Sequence, residues 1–286
     1  MKIVIAKDIG FCYGIKRARD IIYSAVEKYP GRKIYSFREI IHNPQEIKRI
    51  KDFGVRVVYD LNKIEKDSIV ITSTHGITPE EENILKNKRS VIVDTTCPYV
   101  KKTHNIVEHL AKNNYEILVV GDRRHFEVKG VIGHCHGRGR VITAFSDIKE
   151  IKTATKTAVV AQTTQNAIEY KKIILDIINR IFKIKQTELR VFNTICKATY
   201  KRQKATTRIA RKADIVIIIG GRNSANTRRL YELSKDILKD VYLIETADEI
   251  KKEWFKNKKV LGISAGASTP DWIIKAVINK IKELKF

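Results

Sequence analysis

An α/β fold with parallel sheets covered by helices is the architecture that this sequence predicts. Short runs rich in Val and Ile, such as "DIVIIIGG" at 214–221, alternate with amphipathic stretches such as 13–29 and 169–183. Runs that are apolar on both faces are typical of strands buried inside parallel sheets. The 286 residues are 43% hydrophobic, so the chain can bury the cores of two or three compact units.

Eleven stretches along the chain have the composition and length of strands. Each is short, rich in β-branched residues and bounded by polar or glycine-containing loops. In chain order they are 1–6, 33–37, 55–59, 68–73, 90–96, 116–121, 140–145, 157–164, 214–221, 240–245 and 259–266. The amphipathic stretches between them predict the helices of crossover connections.

The net charge of +24, from 56 Lys and Arg against 32 Asp and Glu, predicts an attraction for anions. Nucleic acid, phosphorylated small molecules and acidic proteins all fit that description. The basic residues are spread along the chain, however, and a solvated lysine-rich surface is the simplest explanation. Nucleic-acid binding would require basic residues interleaved with aromatic ones on one face. Only 8% of residues are aromatic, and the sequence shows no such stripe.

Neither a targeting signal nor a membrane span is predicted. No apolar run approaches the roughly 20 residues that a span needs. The first residues, "MKIVIAKDIGFCYG", lack the long apolar region and cleavage pattern of a signal peptide. We therefore expect a cytoplasmic protein that starts at Met1 and has no membrane partner.

Four cysteines, Cys12, Cys97, Cys135 and Cys196, are too few for a disulfide scaffold. None belongs to a C-x-x-C pair, which disfavours a zinc site built from close pairs. Three thiolates would suit a [4Fe–4S] cluster and would leave one iron open. Cys135 has a histidine on either side, but adjacent residues cannot easily chelate one ion together, so we expect an incidental thiol.

A weak internal repeat emerges when three of the cysteines are aligned. Each of Cys12, Cys97 and Cys196 is followed by a helix, a strand and a polar loop, and later by a second strand and polar loop. The first loop residue follows its cysteine by 30, 28 and 28 residues, and the second loop residue follows the first by 33, 38 and 44. These spacings predict three related α/β domains. The predicted domains are 13–96, 97–195, and 196–286 together with 1–12.

Polar residues in the predicted loops are suited to an anionic ligand. The first-loop residues are His42, His125 and Ser224, and the second-loop residues are His75, Thr163 and Ser268. In open α/β sheets, loops at the carboxyl ends of parallel strands bind ligands. Small side-chain donors, such as those of Ser224 and Asn226, and N–H groups at helix starts are what a phosphate requires.

Glu127 lies two residues after His125, inside this predicted anion-binding region. A carboxylate beside an anion is expected to handle protons, because the neighbouring negative charge raises its pKa. The simpler alternative is a surface ion pair with one of the many lysines. Thr163 is either a helix N-cap or a hydroxyl that relays protons.

Nine motifs resemble those of the 4-hydroxy-3-methylbut-2-enyl diphosphate reductase family. They occur in the family's order between residues 10 and 271, as "GFCYG", "IIHNP", "THG", "DTTCP", "HFEVKG", "QTT", "CKAT", "NSAN" and "GASTPD". Each motif alone is weak, but together they are specific and cover nearly the whole chain. The resemblance implies three α/β domains in a pseudo-threefold trefoil around a central [4Fe–4S] cluster. It also implies Cys12, Cys97 and Cys196 as the cluster ligands, with one open iron.

The same resemblance implies a reaction and the residues that serve it. The reaction is a two-electron reductive dehydration in the non-mevalonate pathway, which yields isopentenyl and dimethylallyl diphosphate. Glu127 matches the proton donor of the family. The residues that match substrate-binding positions are His42, His75, His125, Thr163, Ser224, Ala225, Asn226 and Ser268, with Thr199 as a weaker neighbour of the cluster and pocket. The positive charge would attract an acidic electron donor such as ferredoxin or flavodoxin.

Two positions depart from the family pattern. Phe126 stands where a proline is common, and Ala225 stands where many members have serine. Neither change removes a predicted cluster ligand or the proton donor.

Three alternative functions remain open. Another three-cysteine iron–sulfur dehydratase, such as quinolinate synthase, would share the cluster but not the "HFEVKG" and "NSAN" loops as arranged here. A nucleic-acid-binding protein and a zinc-stabilised structural protein represent other classes, and the sequence supports both less well.

Overall fold

The computed structural model describes residues 1–149, 154–183 and 188–284. It confirms the predicted α/β class, because strands and helices alternate and the strand pairs of these ranges are parallel. Among the described residues, no helix is both long and apolar enough to cross a membrane.

Twelve strands lie in the described part of the chain, and eleven of them fall at predicted positions. The strands are β1 Lys2–Ile5, β2 Ile34–Phe37, β3 Val55–Val58, β4 Ile69–Ile71, β5 Val91–Val93, β6 Glu116–Val120, β7 Gly139–Ile142, β8 Lys156–Ala161, β9 Glu188–Val191, β10 Ile215–Ile219, β11 Val241–Ile244 and β12 Val260–Ala265. Only β9 was not predicted, because its four residues include the charged Glu188 and Arg190.

Ten α-helices lie within the described ranges, and nine of them stand between strands in the chain. They are α1 Tyr13–Lys28, α2 Pro44–Asp52, α3 Pro79–Asn87, α4 Pro98–Lys112, α5 Phe126–Gly133, α6 Phe145–Lys149, α7 Ala167–Ile181, α8 Lys197–Ala210, α9 Ala225–Lys235 and α10 Asp271–Glu283. Proline begins α2, α3 and α4, where its fixed φ favours the helix and its missing N–H is not needed.

The three sheets of the described residues have four strands each and the same strand order. These orders are β3-β2-β4-β5, β7-β6-β8-β9 and β11-β10-β12-β1. In each sheet the last edge strand, β5, β9 or β1, precedes one of the three aligned cysteines in the chain. The sheets therefore follow the predicted segments, while the division into three domains at those boundaries remains a prediction.

The chain forms two compact units. The first unit consists of residues 1–19, 41–54 and 197–286, and the second consists of residues 20–40 and 55–196. The first unit contains the sheet β11-β10-β12-β1, with Ile217, Ile263 and Val277 in its core. The second unit contains the other two sheets, with Val70 and Val119 among their core residues.

Candidate active site

Cys97 and Cys196 have equivalent backbone environments in the second unit. Each follows an edge strand and directly precedes a helix in the chain. The N–H of Cys97 donates to the carbonyl of Thr74 at 3.0 Å, and the N–H of Cys196 donates to the carbonyl of Thr163 at 2.9 Å. Both acceptors lie in the loop after the neighbouring strand, so the same hydrogen bond fixes both cysteines.

Cys12 repeats this arrangement in the first unit. Its N–H donates to the carbonyl of Ala267 at 3.1 Å, in the loop after β12, and α1 begins at the next residue. The three cysteines are partly exposed and form no disulfide. The structure thus supports the sequence repeat at the level of single hydrogen bonds.

Cys135 differs from the other three cysteines. It is fully buried in the core of the second unit, and its S–H donates to the carbonyl of Val131 at 3.2 Å. Burial raises the pKa of the Cys135 thiol to about 12. A protonated, inaccessible thiol is a structural group rather than a metal ligand.

Glu127, on the first turn of α5, is a buried carboxyl group with a hydroxyl partner. Only 2% of its surface is exposed, and the ion pairs of the described residues give it no lysine or arginine partner. Its two oxygens accept the N–H of Thr163 at 2.6 Å and the hydroxyl of Thr163 at 2.8 Å. Burial raises the pKa of Glu127 to about 7, although both Thr163 bonds favour the carboxylate. At neutral pH this group can therefore hold a proton and release it.

The turn that carries Glu127 also orients His125. His125 is the N-cap of α5, and its Nδ1 accepts the N–H of Glu127 at 3.2 Å. This bond leaves Nε2 as the protonated nitrogen of a neutral ring. The ring of His75 lies edge-on to that of His125, with 5.0 Å between centroids. The second unit thus brings together four of the predicted site residues, His75, His125, Glu127 and Thr163.

Three predicted anion-binding positions come together in the first unit. The hydroxyl of Ser268 donates to the carbonyl of His42 at 3.2 Å. Gly221, in the loop after β10, approaches the same carbonyl so closely that a Cβ there would overlap it. Ser224 follows in this loop as the N-cap of α9 and accepts the N–H of Thr227 at 3.3 Å. The loops after β10 and β12 therefore meet at His42.

Asn226 is the most informative residue of this group. It is 4% exposed, and neither its Oδ1 nor its Nδ2 has a hydrogen-bond partner among the described residues. A buried amide without partners costs about 1–3 kcal/mol, which indicates a site that a polar ligand completes. Ala225 precedes it as the first helical residue of α9, and Thr199 is buried on α8.

Asn43 is a candidate site residue that was not predicted. It is the buried N-cap of α2, where its Oδ1 accepts the N–H of Glu46 at 2.9 Å. Its Nδ2 has no hydrogen-bond partner in the described ranges. By helix position Asn43, rather than His42, corresponds to the N-caps His125 and Ser224. The Asn-Pro pair was the available signal, since it combines a capping residue with proline at N1.

Parallel sheets with polar loops at their carboxyl ends, and a buried acid among those loops, indicate an α/β enzyme that transfers protons. The chain belongs to the LytB protein family, because the model of that family matches residues 3–282. The family resemblance found in the sequence is thus confirmed.

Relatives that match this chain over nearly its full length are named as one enzyme. A protein of Campylobacter hominis named 4-hydroxy-3-methylbut-2-enyl diphosphate reductase is 43% identical over 285 residues, which cover 99% of this chain and all of the relative. A solved structure of (E)-4-hydroxy-3-methyl-but-2-enyl diphosphate reductase, described as the terminal enzyme of the non-mevalonate pathway, is 42% identical, covers 99% of both chains and gives a TM-score of 0.72. The Plasmodium falciparum reductase structure is 28% identical, with a TM-score of 0.91 over 97% of this chain and 87% of its own.

Proposed function

We propose that this protein is a 4-hydroxy-3-methylbut-2-enyl diphosphate reductase of the non-mevalonate pathway. Two electrons and two protons enter, the C4–O bond of the substrate breaks, and the oxygen leaves as water. The second proton goes to carbon, which gives isopentenyl or dimethylallyl diphosphate. The observation that carries the proposal is the buried carboxyl of Glu127, whose pKa of about 7 suits a proton donor at neutral pH.

The proposed cofactor is a [4Fe–4S] cluster bound by the thiolates of Cys12, Cys97 and Cys196. The donor set fits, because these cysteines are accessible, free of disulfides and fixed by the same backbone hydrogen bond. Such a cluster supplies electrons and an open iron for an oxygen ligand. The inert, buried Cys135 is excluded from this set.

Substrate binding is assigned to the polar loops. The residues proposed to bind the diphosphate are His42, His75, Ser224, Asn226 and Ser268, together with the backbone N–H of Ala225 at the start of α9. The unpartnered amide of Asn226 supports this assignment, because phosphate oxygens would satisfy its Nδ2.

Proton delivery is assigned to Glu127, with Thr163 and His125 beside it. Thr163 bonds both carboxyl oxygens and so fixes the orientation of the acid. The proposed role of the Nε2–H of neutral His125 is to donate a hydrogen bond to the substrate hydroxyl, and Glu127 supplies the proton that makes it a leaving group. Thr199, buried on α8, is proposed to pack near the cofactor without taking part in the chemistry.

An acidic electron carrier, ferredoxin or flavodoxin, is the proposed partner, and the cytoplasm is the proposed location. The net charge of +24 supports an electrostatic encounter, and thiolate ligands need a reducing compartment. We expect the rate of reduction by ferredoxin to fall as salt rises from low to physiological ionic strength. A rate independent of salt would count against the electrostatic part of this proposal.

The test is anaerobic reconstitution with iron and sulfide, followed by visible and electron paramagnetic resonance spectra. Dithionite-reduced viologen and the hydroxymethylbutenyl diphosphate then report turnover. We expect a broad brown absorption and substrate-dependent viologen oxidation. Replacing Cys12, Cys97 or Cys196 by alanine should abolish both, whereas Cys135→Ala is the matched control and should retain them.

The outcomes separate the parts of the proposal. A cluster without turnover would favour a sister dehydratase, and the absence of any cluster would remove the cofactor assignment. Equal loss of the spectrum in Cys135→Ala and in the other three variants would overturn the ligand assignment.

A further inference from the structure

Arg38 adopts an unusual backbone conformation directly after β2. Its φ is 70°, in the left-handed region that residues with a side chain seldom occupy. Its N–H donates to the carbonyl of Val58 at 2.7 Å, and its carbonyl accepts the hydroxyl of Ser36 at 2.6 Å. The surrounding hydrogen bonds therefore hold the backbone of Arg38 in this conformation.

The guanidinium of Arg38 lies over two aromatic rings of the second unit. Its Cζ is 4.3 Å from the ring centroid of Phe37 and 4.7 Å from that of Phe126. Glu81 binds both terminal nitrogens of the guanidinium, and the same carboxylate accepts the N–H of Thr78 at 2.9 Å. With 9% of the residue exposed, Arg38 is fixed in both its plane and its position.

Phe126 connects this cluster to the turn that carries the proposed acid. It is the first residue of α5, between the N-cap His125 and Glu127. Gly130 and Gly133 lie four and seven positions further on, so they share one helical face with Phe126. That face packs on the segment after β4, because a Cβ on Gly130 would lie 3.3 Å from the carbonyl oxygen of His75 and one on Gly133 would lie 2.5 Å from Cγ2 of Thr78.

The start of α5 lacks the restraint that three other helices of this chain have. Pro44, Pro79 and Pro98 occupy the first position of α2, α3 and α4, where the ring fixes φ for the helix. Phe126 has no such restraint. The N-cap before it has φ −72° and ψ 135°, a conformation that a following proline would accept. The bonds of Thr163 to Glu127 and the guanidinium over the Phe126 ring are the contacts from other segments that can restrain this turn.

We propose that Arg38 is a positioning residue, which holds the ring of Phe126 and thereby fixes the turn that carries His125 and Glu127. The importance of that turn for catalysis rests on the proposed function, but the mechanical role of Arg38 does not. The contact of the guanidinium with the Phe126 ring restrains the turn, as a proline at residue 126 would.

The test is amide hydrogen exchange across residues 127–131 of the full chain without cofactor. Arg38→Ala should accelerate exchange there by about 10-fold, the factor that corresponds to the loss of one shielded cation–π contact. Phe126→Leu keeps apolar volume but removes the ring, and should give the same acceleration even if Arg38→Ala does not fold. Arg89→Ala is the matched control, since Arg89 also has a positive φ (57°) and an acidic partner, Asp67, but is exposed.

A double variant makes the test specific. In Phe126→Pro the pyrrolidine ring of the new proline restrains the turn directly. Adding Arg38→Ala to this variant should therefore leave exchange at residues 127–131 unchanged. Unchanged exchange in both Arg38→Ala and Phe126→Leu would overturn the proposal. So would an equal acceleration with and without Phe126→Pro, which would assign Arg38 a general structural role.

The activity measurement separates this proposal from the proposed function. With reconstituted enzyme, Arg38→Ala should lower kcat by about 10-fold with little change in KM, because the acid is displaced while the diphosphate loops are intact. Arg38→Lys keeps the charge but not the flat stacking surface, and should recover only part of kcat. If the native chain shows no turnover but exchange responds as expected, the proposed function fails and the positioning role stands.

Discussion

Glu81 and Glu127 are two shielded carboxyl groups of the second unit, each on the first turn of a helix, with opposite surroundings. Glu81 lies against the guanidinium of Arg38 and completes the capping box of α3 with Thr78. Among the described residues, the hydrogen bonds of the Glu127 carboxyl come from the N–H and hydroxyl of Thr163, and burial raises its pKa to about 7. Similar placement therefore gives a carboxyl group paired with a guanidinium in one case and a proton-holding acid in the other, and the difference is the neighbouring cation.

The largest expected effect is on catalysis by Glu127→Gln. The amide keeps the shape of the side chain but cannot donate the required proton, so kcat should fall by about 100- to 10,000-fold. Viologen oxidation by the reconstituted enzyme measures this, and the visible spectrum should be unchanged.

Glu81→Gln is the matched control for this change. It weakens the pairing with Arg38 and the capping box, so it should lower the melting temperature. Its effect on kcat should be smaller than that of Glu127→Gln. If the two variants lost activity equally, the distinction between the carboxyl groups would be wrong.

The next effect is on stability, in the protein without cofactor. The pKa of Glu127 is raised from 4.5 to about 7, so its stabilising contribution is fully present below pH 4.5 and is lost as pH rises through 7. Burying the charge at higher pH costs about 3 kcal/mol, at 1.36 kcal/mol per pH unit.

The measurement is the free energy of unfolding of the native chain and of Glu127→Gln between pH 4 and 8. The free energy of unfolding of the variant should rise relative to that of the native chain as pH increases across this window. This difference should level off above pH 7. A difference that does not change with pH would show that the pKa of Glu127 is the same in the folded and the unfolded chain.

Thr163→Val should give the smallest of these effects. The substitution removes the hydroxyl but keeps the backbone N–H that bonds Glu127. Because both bonds favour the carboxylate, losing one raises the pKa of Glu127 further, and the alkaline fall of kcat should move to higher pH. We expect kcat near pH 7 to fall by about 10-fold through weaker orientation of the acid.

The neighbouring Thr164→Val is the control for this prediction. The Thr164 hydroxyl accepts a hydrogen bond from Gln162, whereas the carboxyl of Glu127 is bonded by Thr163. An equal shift of the pH profile in both variants would indicate a general disturbance of the loop.

Most of the sheet architecture could be predicted because buried parallel strands have a strong local signal. Val and Ile on both faces indicate a strand such as β10 without any knowledge of its neighbours. The edge strand β9 has charged residues and lacks this signal. The order in which the strands pair was not predicted: the cysteine-aligned repeat predicts three related units, and the shared strand order of the three sheets is a finding of the structure.

The candidate site was predictable where its residues lie in motifs and not where it depends on distant contacts. Glu127 and Thr163 stand in recognisable loops, and the structure joins them directly. The contact between Arg38 and Phe126 joins residues far apart in the sequence. It also depends on the left-handed φ of Arg38, which the sequence gives no reason to expect. The unpartnered amide of Asn226 is likewise a property of the packed structure alone.

The pairing of β1 with β12 has a consequence for the synthesis of the chain. Ile5 pairs with Ile263 and the N–H of Cys12 donates to the carbonyl of Ala267, so β1 cannot complete its pairing until β12 has been synthesised. At about 5–20 residues per second, the wait lasts roughly 10 to 50 s. During that time the N-terminal strand has an unpaired edge and an uncommitted thiol, which exposes it to aggregation and oxidation. With Cys12 as a ligand, as proposed above, the metal centre would be completed only after β12 has been synthesised.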